Sequence, residues 1–435
     1  MTQSDTQERI DRAILVGLDS SGLSPDDRAT DESMEELSAL LQTAGGECLA
    51  TVLQSKDSPD PRTFIGQGKV AEVKELVRTL GADMVIFDNA LSPSQQRALS
   101  EELDVSVLDR AALILDIFAQ RARTREGRLQ VELAQYKYPM PRLTGVWKHL
   151  VRQNAAGGKS PIGTRGPGET QLETDRRHIR RKLAQLEEEL KEVRRVRSVQ
   201  RERRIKNEVP VVAIVGYTNA GKSTLLNRLT GADIPANNRL FDTLDTTTRT
   251  LTISDTCTVL ISDTVGFISK LPHHLVEAFK ATLEELGYAD LLLHVIDASN
   301  PLWREQAAVV DALISQLGAQ QTPQLKVFNK CDLAGGDILP HGENIVCISA
   351  KTGEGVDELL SAIARRLDSG TRRVIFRLPY DRGGEIETLY REAKVERVEY
   401  GATIDVTAVC TAKTMGRLRE FIEGWQEPKE LWEQS

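Results

Sequence analysis

Cysteine, histidine and aromatic residues are all scarce in this chain. Its 435 residues include five cysteines and six histidines, and aromatic residues make up 5%. The cysteines form no C-x-x-C pair and the histidines show no ligand spacing, so the sequence predicts neither a disulfide framework nor a zinc site. This use of cysteine is typical of a reduced cytosolic compartment.

Long hydrophobic runs and targeting signals are missing as well. The longest apolar runs, such as LLLHVI at 291–296, are too short to cross a membrane and predict sheet strands. The opening MTQSDTQERIDR is polar and acidic, unlike a secretory signal, and neither Thr2 nor the closing KELWEQS fits a lipidation motif. We therefore expect a cytoplasmic protein without a membrane span, with at most peripheral membrane association.

Positive charge is in deficit overall but concentrated in one region. The formal net charge is −8, yet residues 121–206 hold 23 Lys/Arg against 10 Asp/Glu, and the rest of the chain holds 33 against 54. This asymmetry indicates a basic arm that binds a polyanion such as RNA. Taken alone, residues 185–206 are equally consistent with a solvated charged helix.

One string has the context of a phosphate-binding loop. The apolar run 209–215 predicts a buried parallel strand, GYTNAGKST follows at 216–224, and LLNRL then looks helical. Glycines allow backbone N–H groups to surround phosphates, next to the positive end of the helix dipole. Lys222 is expected to bridge the β- and γ-phosphates, and the Ser223 hydroxyl to bind Mg²⁺.

Two further strings complete a predicted Mg²⁺ site. DTVG at 263–266 ends a predicted strand, which places Asp263 near the metal and the Gly266 amide near the γ-phosphate. A threonine of FDTLDTTTR at 241–249 is expected to close over Mg²⁺, because GTPase switch loops are ordered by that contact. We favour Thr243; its rivals are Thr246, Thr247 and Thr248.

The last two strings select the base. NKCD at 329–332 follows a predicted strand, and the Asp332 carboxylate can accept two hydrogen bonds that guanine offers and adenine does not, a discrimination of roughly 10⁴ or more. SAK at 349–351 offers a backbone amide to the guanine oxygen. Phe267 stands where signalling GTPases commonly carry a water-orienting Gln, so we expect slow hydrolysis until a partner assists.

The whole chain is expected to be α/β, with four parts. They are an N-terminal α/β domain (1–108), a basic helical hairpin with a Gly-rich loop (109–207), a central P-loop GTPase domain (208–370) and a small C-terminal α+β domain (371–435). The hairpin is predicted from one helix over 109–138 and another over 169–207, joined by a loop that carries Lys159 and Arg165. Its basic tip suits contacts with the backbone of folded RNA.

The run RGPGETQLETDRR at 165–177, together with IGQGK, GYTNAGKST, FDTLD and DTVGFI, resembles the HflX family of GTPases. This resemblance covers nearly the whole chain. It implies a monomeric factor that binds the large ribosomal subunit, through rRNA and protein, and acts in ribosome splitting, rescue or recycling. Some members also use ATP through the N-terminal region, so the alternative is an RNA-remodelling nucleotidase with a second ATP site there.

Carried over by motif, the resemblance assigns catalysis to Lys222, Thr243 and Gly266, Mg²⁺ to Ser223 and Thr243, and GTP or GDP to a larger set. That set is Gly216, Tyr217, Thr218, Asn219, Ala220, Gly221, Lys222, Ser223, Thr224, Phe241, Asp242, Thr243, Leu244, Asp245, Asp263, Thr264, Val265, Gly266, Asn329, Lys330, Asp332, Ser349, Ala350 and Lys351. The family usually reads FATLDPTTR, whereas Asp242 and Thr246 stand here in place of Ala and Pro. Loss of that proline is expected to loosen the switch loop.

Overall fold

The structure is a computed structural model that describes ten stretches of the chain. They are residues 10–138, 171–206, 209–231, 240–241, 247–254, 257–271, 284–334, 340–367, 372–410 and 412–422. Three separate β-sheets succeed one another along these residues.

The first sheet is parallel and has helices between its strands. Its strand order is β2-β1-β3-β4. The strands are β1 (Arg12–Asp19), β2 (Glu47–Ser55), β3 (Met84–Phe87) and β4 (Ser106–Asp109), and the helices are α1 (Asp31–Ala44), α2 (Gln67–Leu80), α3 (Pro93–Leu103) and α4 (Arg110–Arg121). Ser92 and Gln95 form a capping box at the start of α3. Strand–helix alternation therefore yields the expected parallel sheet.

The helix predicted over 109–138 is two helices, which corrects that expectation. After α4, the chain is extended at Ala122 and a second helix, α5, spans Arg125–Lys137. The Thr124 side chain accepts a hydrogen bond from the Gly127 amide at 3.0 Å and caps α5. Helix α4 packs against α1 in the core of the first sheet, so only α5 takes part in the hairpin.

The long helix α6 spans Gln171–Lys206, close to the predicted 169–207, and pairs with α5. Buried leucines and an isoleucine, spaced three or four residues apart along each helix, form the seam: Leu129, Leu133, Ile179, Leu183, Leu186 and Leu190. Partly exposed ion pairs border it, Lys182 with Glu132 and Lys137 with Glu187. Such pairs contribute little, so apolar burial holds the hairpin together. The Gly-rich loop, with Lys159 and Arg165, lies outside the described residues.

The central sheet is parallel except at one edge. Its order is β10-β9-β8-β5-β7-β6, and only β6 and β7 pair in the antiparallel sense. The elements are β5 (Val211–Gly216), α7 (Lys222–Thr230), β6 (Thr247–Ser254), β7 (Cys257–Asp263), β8 (Leu291–Asp297), α8 (Trp303–Gln316), β9 (Gln324–Asn329), β10 (Ile345–Cys347) and α9 (Val356–Leu367).

The third sheet is antiparallel, in the order β11-β13-β12. Its elements are β11 (Arg372–Leu378), α10 (Glu385–Glu392), β12 (Lys394–Tyr400), β13 (Ile404–Cys410) and α11 (Ala412–Arg417). Short 3-10 turns occur at Pro25–Asp27, Glu284–Tyr288, Tyr380–Arg382 and Arg419–Phe421. Among the described residues, none of the helices combines the length and the apolar character needed to cross a bilayer.

Candidate functional site

The phosphate loop leaves β5 at the carboxyl edge of the central sheet and enters α7. A Cβ added to Gly216 would lie 2.3 Å from the carbonyl oxygen of Val295, so only glycine fits there. Gly221 has φ +93°, and a Cβ on it would lie 2.2 Å from the Asn329 amide nitrogen. The two glycines therefore let the loop run close to its neighbours, as a backbone phosphate cradle requires.

Lys222 is buried beneath this loop. Its Nζ donates to the carbonyl oxygens of Gly216 at 3.2 Å and Tyr217 at 2.8 Å. Burial lowers the pKa of this ammonium to about 8, although the carboxylate of Asp263 opposes the shift. A buried cation whose charge is poorly compensated favours an anionic partner, and a nucleotide phosphate supplies one.

Ser223 and Asp263 provide oxygen atoms for the predicted Mg²⁺. The Ser223 Oγ donates to Asp263 Oδ2 at 2.7 Å, and both side chains lie at the carboxyl edge of β5 and β7. A hydroxyl and a carboxylate match the oxygen ligands that Mg²⁺ prefers, so these residues fit the ion. Thr264 lies behind them, and its hydroxyl donates to the Ile214 carbonyl at 2.7 Å.

Gly266 lies against the phosphate loop. A Cβ on this residue would fall 3.0 Å from Lys222 Nζ and 2.9 Å from Thr218 Cγ2. The next residue, Phe267, donates its amide to the Gly216 carbonyl at 3.1 Å and accepts from the Thr218 amide at 2.7 Å. The DTVG segment is thus attached directly to the loop whose bound phosphate it is predicted to detect.

Asn329 joins the guanine motifs to the phosphate loop. Its Nδ2 donates to the Ala220 carbonyl at 2.8 Å, and its Oδ1 accepts from the Ala350 amide at 2.9 Å. Lys330 Nζ donates to Asp297 Oδ2 at 2.7 Å, while Asp332 is exposed at the surface of the same loop. The NKCD, SAK and P-loop strings are therefore neighbours in space.

The structure locates most of the other predicted residues around this centre. Thr218, Ala220, Val265, Ser349 and Ala350 are buried, Thr224 is partly buried, and Asn219 and Lys351 are exposed. Phe241 is buried and its ring lies edge-on to Phe118, with centroids 4.7 Å apart. Asp242, Thr243, Leu244 and Asp245 lie outside the described residues, as does the rival Thr246. Thr243 as the metal ligand therefore stays a prediction.

Sequence reasoning missed several residues of the first sheet that contact this site. The Tyr217 hydroxyl donates to Glu36 Oε1 at 2.6 Å, and Lys270 forms an ion pair with Asp88. Burial raises the pKa of Tyr217, which keeps its proton available for that bond. No local motif marks Glu36 or Asp88, because their importance depends on how the first sheet packs against the central one.

Comparisons with known proteins cover nearly the whole chain. The family described as "GTP-binding GTPase N-terminal" matches residues 31–119, "GTP-binding GTPase Middle Region" matches 121–204 and "50S ribosome-binding GTPase" matches 211–330. The GTPase HflX of Caldanaerobacter subterraneus is 50% identical over 414 residues, which is 95% of this chain and 94% of the relative. The chain belongs to the HflX family. The GTPase HflX of Escherichia coli is 45% identical over 84% of this chain and 86% of its own.

The chain is accordingly a GTPase that binds guanine nucleotides, and the resemblance inferred from the motifs is confirmed. Among solved structures, a GTP-binding protein from the archaeon Sulfolobus solfataricus in complex with GDP is 23% identical. The match covers 82% of this chain and 99% of that one, with a TM-score of 0.43.

Proposed function

We propose that this HflX-family GTPase binds the large ribosomal subunit in its GTP form and acts in ribosome splitting, rescue or recycling. The observation that carries the proposal is the match of residues 211–330 to the 50S ribosome-binding GTPases, on a pocket where Asn329 joins the base and phosphate loops. The excess of Lys and Arg over 121–206 supports an RNA partner. Such a factor works in the cytoplasm, as a monomer.

Each part of the pocket has a role in hydrolysis under this proposal. The loop from Gly216 to Gly221 surrounds the phosphates, and Lys222 moves its Nζ from the loop carbonyls to the β- and γ-oxygens. Ser223 and Thr243 would hold Mg²⁺, and the ion would supply positive charge to the transferred phosphoryl group. Gly266 senses the γ-phosphate through its amide, and Asp332 selects guanine.

Phe267 keeps GTP hydrolysis slow when the protein is without its partner. Its side chain is 3% exposed and its backbone is hydrogen-bonded to the phosphate loop on both sides. An apolar ring held in the core orients no water, so an activating group has to come from the partner. We assign that role to the large subunit.

The remaining assignments follow the chain. We propose that 1–108 and the hairpin within 109–207 contact the ribosome, that 208–370 is the GTPase domain, and that 371–435 is a separate C-terminal domain. The second and third sheets each lie within one of these ranges, whereas the first sheet extends one residue beyond 108, to the end of β4 at Asp109.

Sedimentation with purified ribosomal subunits tests the proposal. The protein is incubated with large or small subunits in GDP or in a non-hydrolysable GTP analogue. We expect co-migration with the large subunit that is stronger with the analogue, and a steep loss of binding as salt rises, because phosphate contacts release counterions. Binding that is indifferent to both subunit and nucleotide would refute the proposal.

A further inference from the structure

A cluster of polar side chains connects the first sheet and its helices to the nucleotide site. We call it the Glu36 cluster, and it consists of Glu36, Asp88, Arg110, Tyr217, Ser269 and Lys270. Two carboxylates face two cations, and Asp88 and Arg110 are almost fully buried. The cluster is therefore charge-balanced and shielded from water, conditions under which such bonds are strong and geometrically specific.

Glu36, on α1, contacts two segments of the GTPase site, the P-loop and the stretch that follows DTVG. Its Oε1 accepts from the Tyr217 hydroxyl at 2.6 Å, and its Oε2 accepts from the Ser269 hydroxyl at 2.9 Å. Arg110 donates to the same carboxylate and thereby fixes its orientation. One side chain of the N-terminal region thus holds the P-loop and the segment that follows DTVG together.

The contacts of Glu36 with Tyr217 and Ser269 lie close to Lys222 and Gly266, the residues predicted to act on the γ-phosphate. Tyr217 is the second residue of the phosphate loop, and its carbonyl accepts from Lys222 Nζ at 2.8 Å. Ser269 follows Gly266 by three residues, and its amide donates to the Tyr217 hydroxyl at 2.8 Å. Displacement of the Gly266 amide toward a γ-phosphate would therefore pull on Ser269, on Tyr217 and on Glu36.

Lys270 shows that this segment is held in an unusual conformation. Its φ is +56°, which a non-glycine residue keeps only when surrounding contacts impose it. Its Nζ donates to the Arg28 carbonyl at 2.6 Å and pairs with Asp88. The first sheet thus supplies the contacts that maintain the backbone just after the γ-phosphate sensor.

We propose that Glu36 is a positioning residue for GTP hydrolysis, which acts through Tyr217 and Ser269 to set the geometry of the P-loop against the DTVG segment. An ion pair that only joined two domains would stabilise both nucleotide states equally. Glu36 instead bonds the two segments whose relative position distinguishes GTP from GDP. Removal of the Glu36 carboxylate therefore changes GTP binding and hydrolysis more than GDP binding. By reciprocity, bound GTP changes the strength of the contacts between the first sheet and the nucleotide site.

A double-mutant cycle tests this inference. Glu36→Gln leaves one acceptor oxygen where two are used, Ser269→Ala removes one hydroxyl, and the full-length variants are compared singly and together. Glu35→Gln is the matched control, because Glu35 is the exposed neighbour on α1. For each protein, kcat and KM for GTP are measured, along with Kd for GDP and for a non-hydrolysable GTP analogue.

We expect each single variant to lower kcat and the preference for the analogue over GDP by roughly 5- to 30-fold, with Kd for GDP within about twofold of the parent. In the double variant, kcat and the preference for the analogue should be only slightly lower than in the single variants, because each substitution breaks the same connection through Glu36 and Ser269. Equal weakening of GDP and analogue, unchanged kcat, or effects that simply multiply would overturn the proposal. Ser269→Ala keeps the test valid if Glu36→Gln fails to fold.

Discussion

Asn329 accounts for much of the organisation of the site at the scale of a single residue. The residue is 2% exposed, and its carboxamide donates a hydrogen bond to one loop and accepts one from another. Buried amide groups that are satisfied in this way fix backbone positions more precisely than apolar packing does. The base-binding and phosphate-binding loops are thereby held at a constant separation.

Asp332 gives the sharpest prediction at this scale. In the Asp332→Asn variant, the side chain offers one acceptor and one donor in place of two acceptors, so guanine loses its matched partner. We expect the preference for GTP over ATP and over xanthosine triphosphate to fall by roughly 10²–10⁴. Calorimetric titration with each nucleotide measures this ratio.

Asp357→Asn is the control, since Asp357 is an exposed carboxylate in the first turn of α9. It should bind nucleotides as the parent does. A parent-like preference in Asp332→Asn would show that the base lies elsewhere.

Thr124 marks the break between α4 and α5, which the sequence analysis did not predict. The sequence analysis predicted one continuous helix over 109–138. Thr124, whose side chain accepts a hydrogen bond from the Gly127 amide, is the N-cap of α5, but the residues on both sides of it also fit a helical pattern. The break occurs because α4 packs into the core beside α1, while α5 turns away to meet α6.

At the scale of elements, strands and helices were predictable where periodicity was strong. The helix predicted over 169–207 is observed as α6 with each end within two residues of that prediction, because its apolar seam is a local property of the sequence. The last helix, α11, ends at Arg417, before a 3-10 turn at Arg419–Phe421. Element ends depend on capping and tertiary contacts, which one sequence does not display.

The helical hairpin gives a prediction of its own. Leu186 is 1% exposed in the seam between α5 and α6, and Leu186→Ala should cost about 2–5 kcal/mol of hairpin stability. The seam forms a separate cluster from those that line the nucleotide site. We therefore expect weaker binding to the large subunit in sedimentation, with Kd for GDP unchanged.

Gln185→Ala, at the exposed neighbour on α6, controls for the loss of a side chain. Subunit binding as tight as that of the parent, in a Leu186→Ala protein whose hairpin melts earlier, would show that the hairpin is not a ribosome contact.

At the scale of the whole molecule, the first and central sheets share one hydrophobic cluster. Ile86, Leu113 and Phe118 belong to it together with Ala213 and Phe241. The Glu36 cluster lies beside this contact. None of these pairings was predictable, since Glu36 and Tyr217 are 181 residues apart and only the packing of two domains brings them together.

These contacts connect the nucleotide site directly to the N-terminal region. The GTPase motifs predicted a switch, and the structure adds the contacts that connect it to the first sheet. The contacts of Glu36, Lys270 and Phe241 attach the P-loop and the segments beside it to the first sheet. We therefore expect a change in the γ-phosphate to be transmitted to the part of the chain proposed to contact RNA.

Steady-state GTP hydrolysis, with and without purified large subunits, tests the central claim most directly. Because Phe267 is buried and orients no water, we predict slow turnover by the isolated protein. Large subunits should raise it by roughly 10³–10⁵, and small subunits should not. Rapid turnover by the protein alone, with no increase on addition of large subunits, would contradict the account.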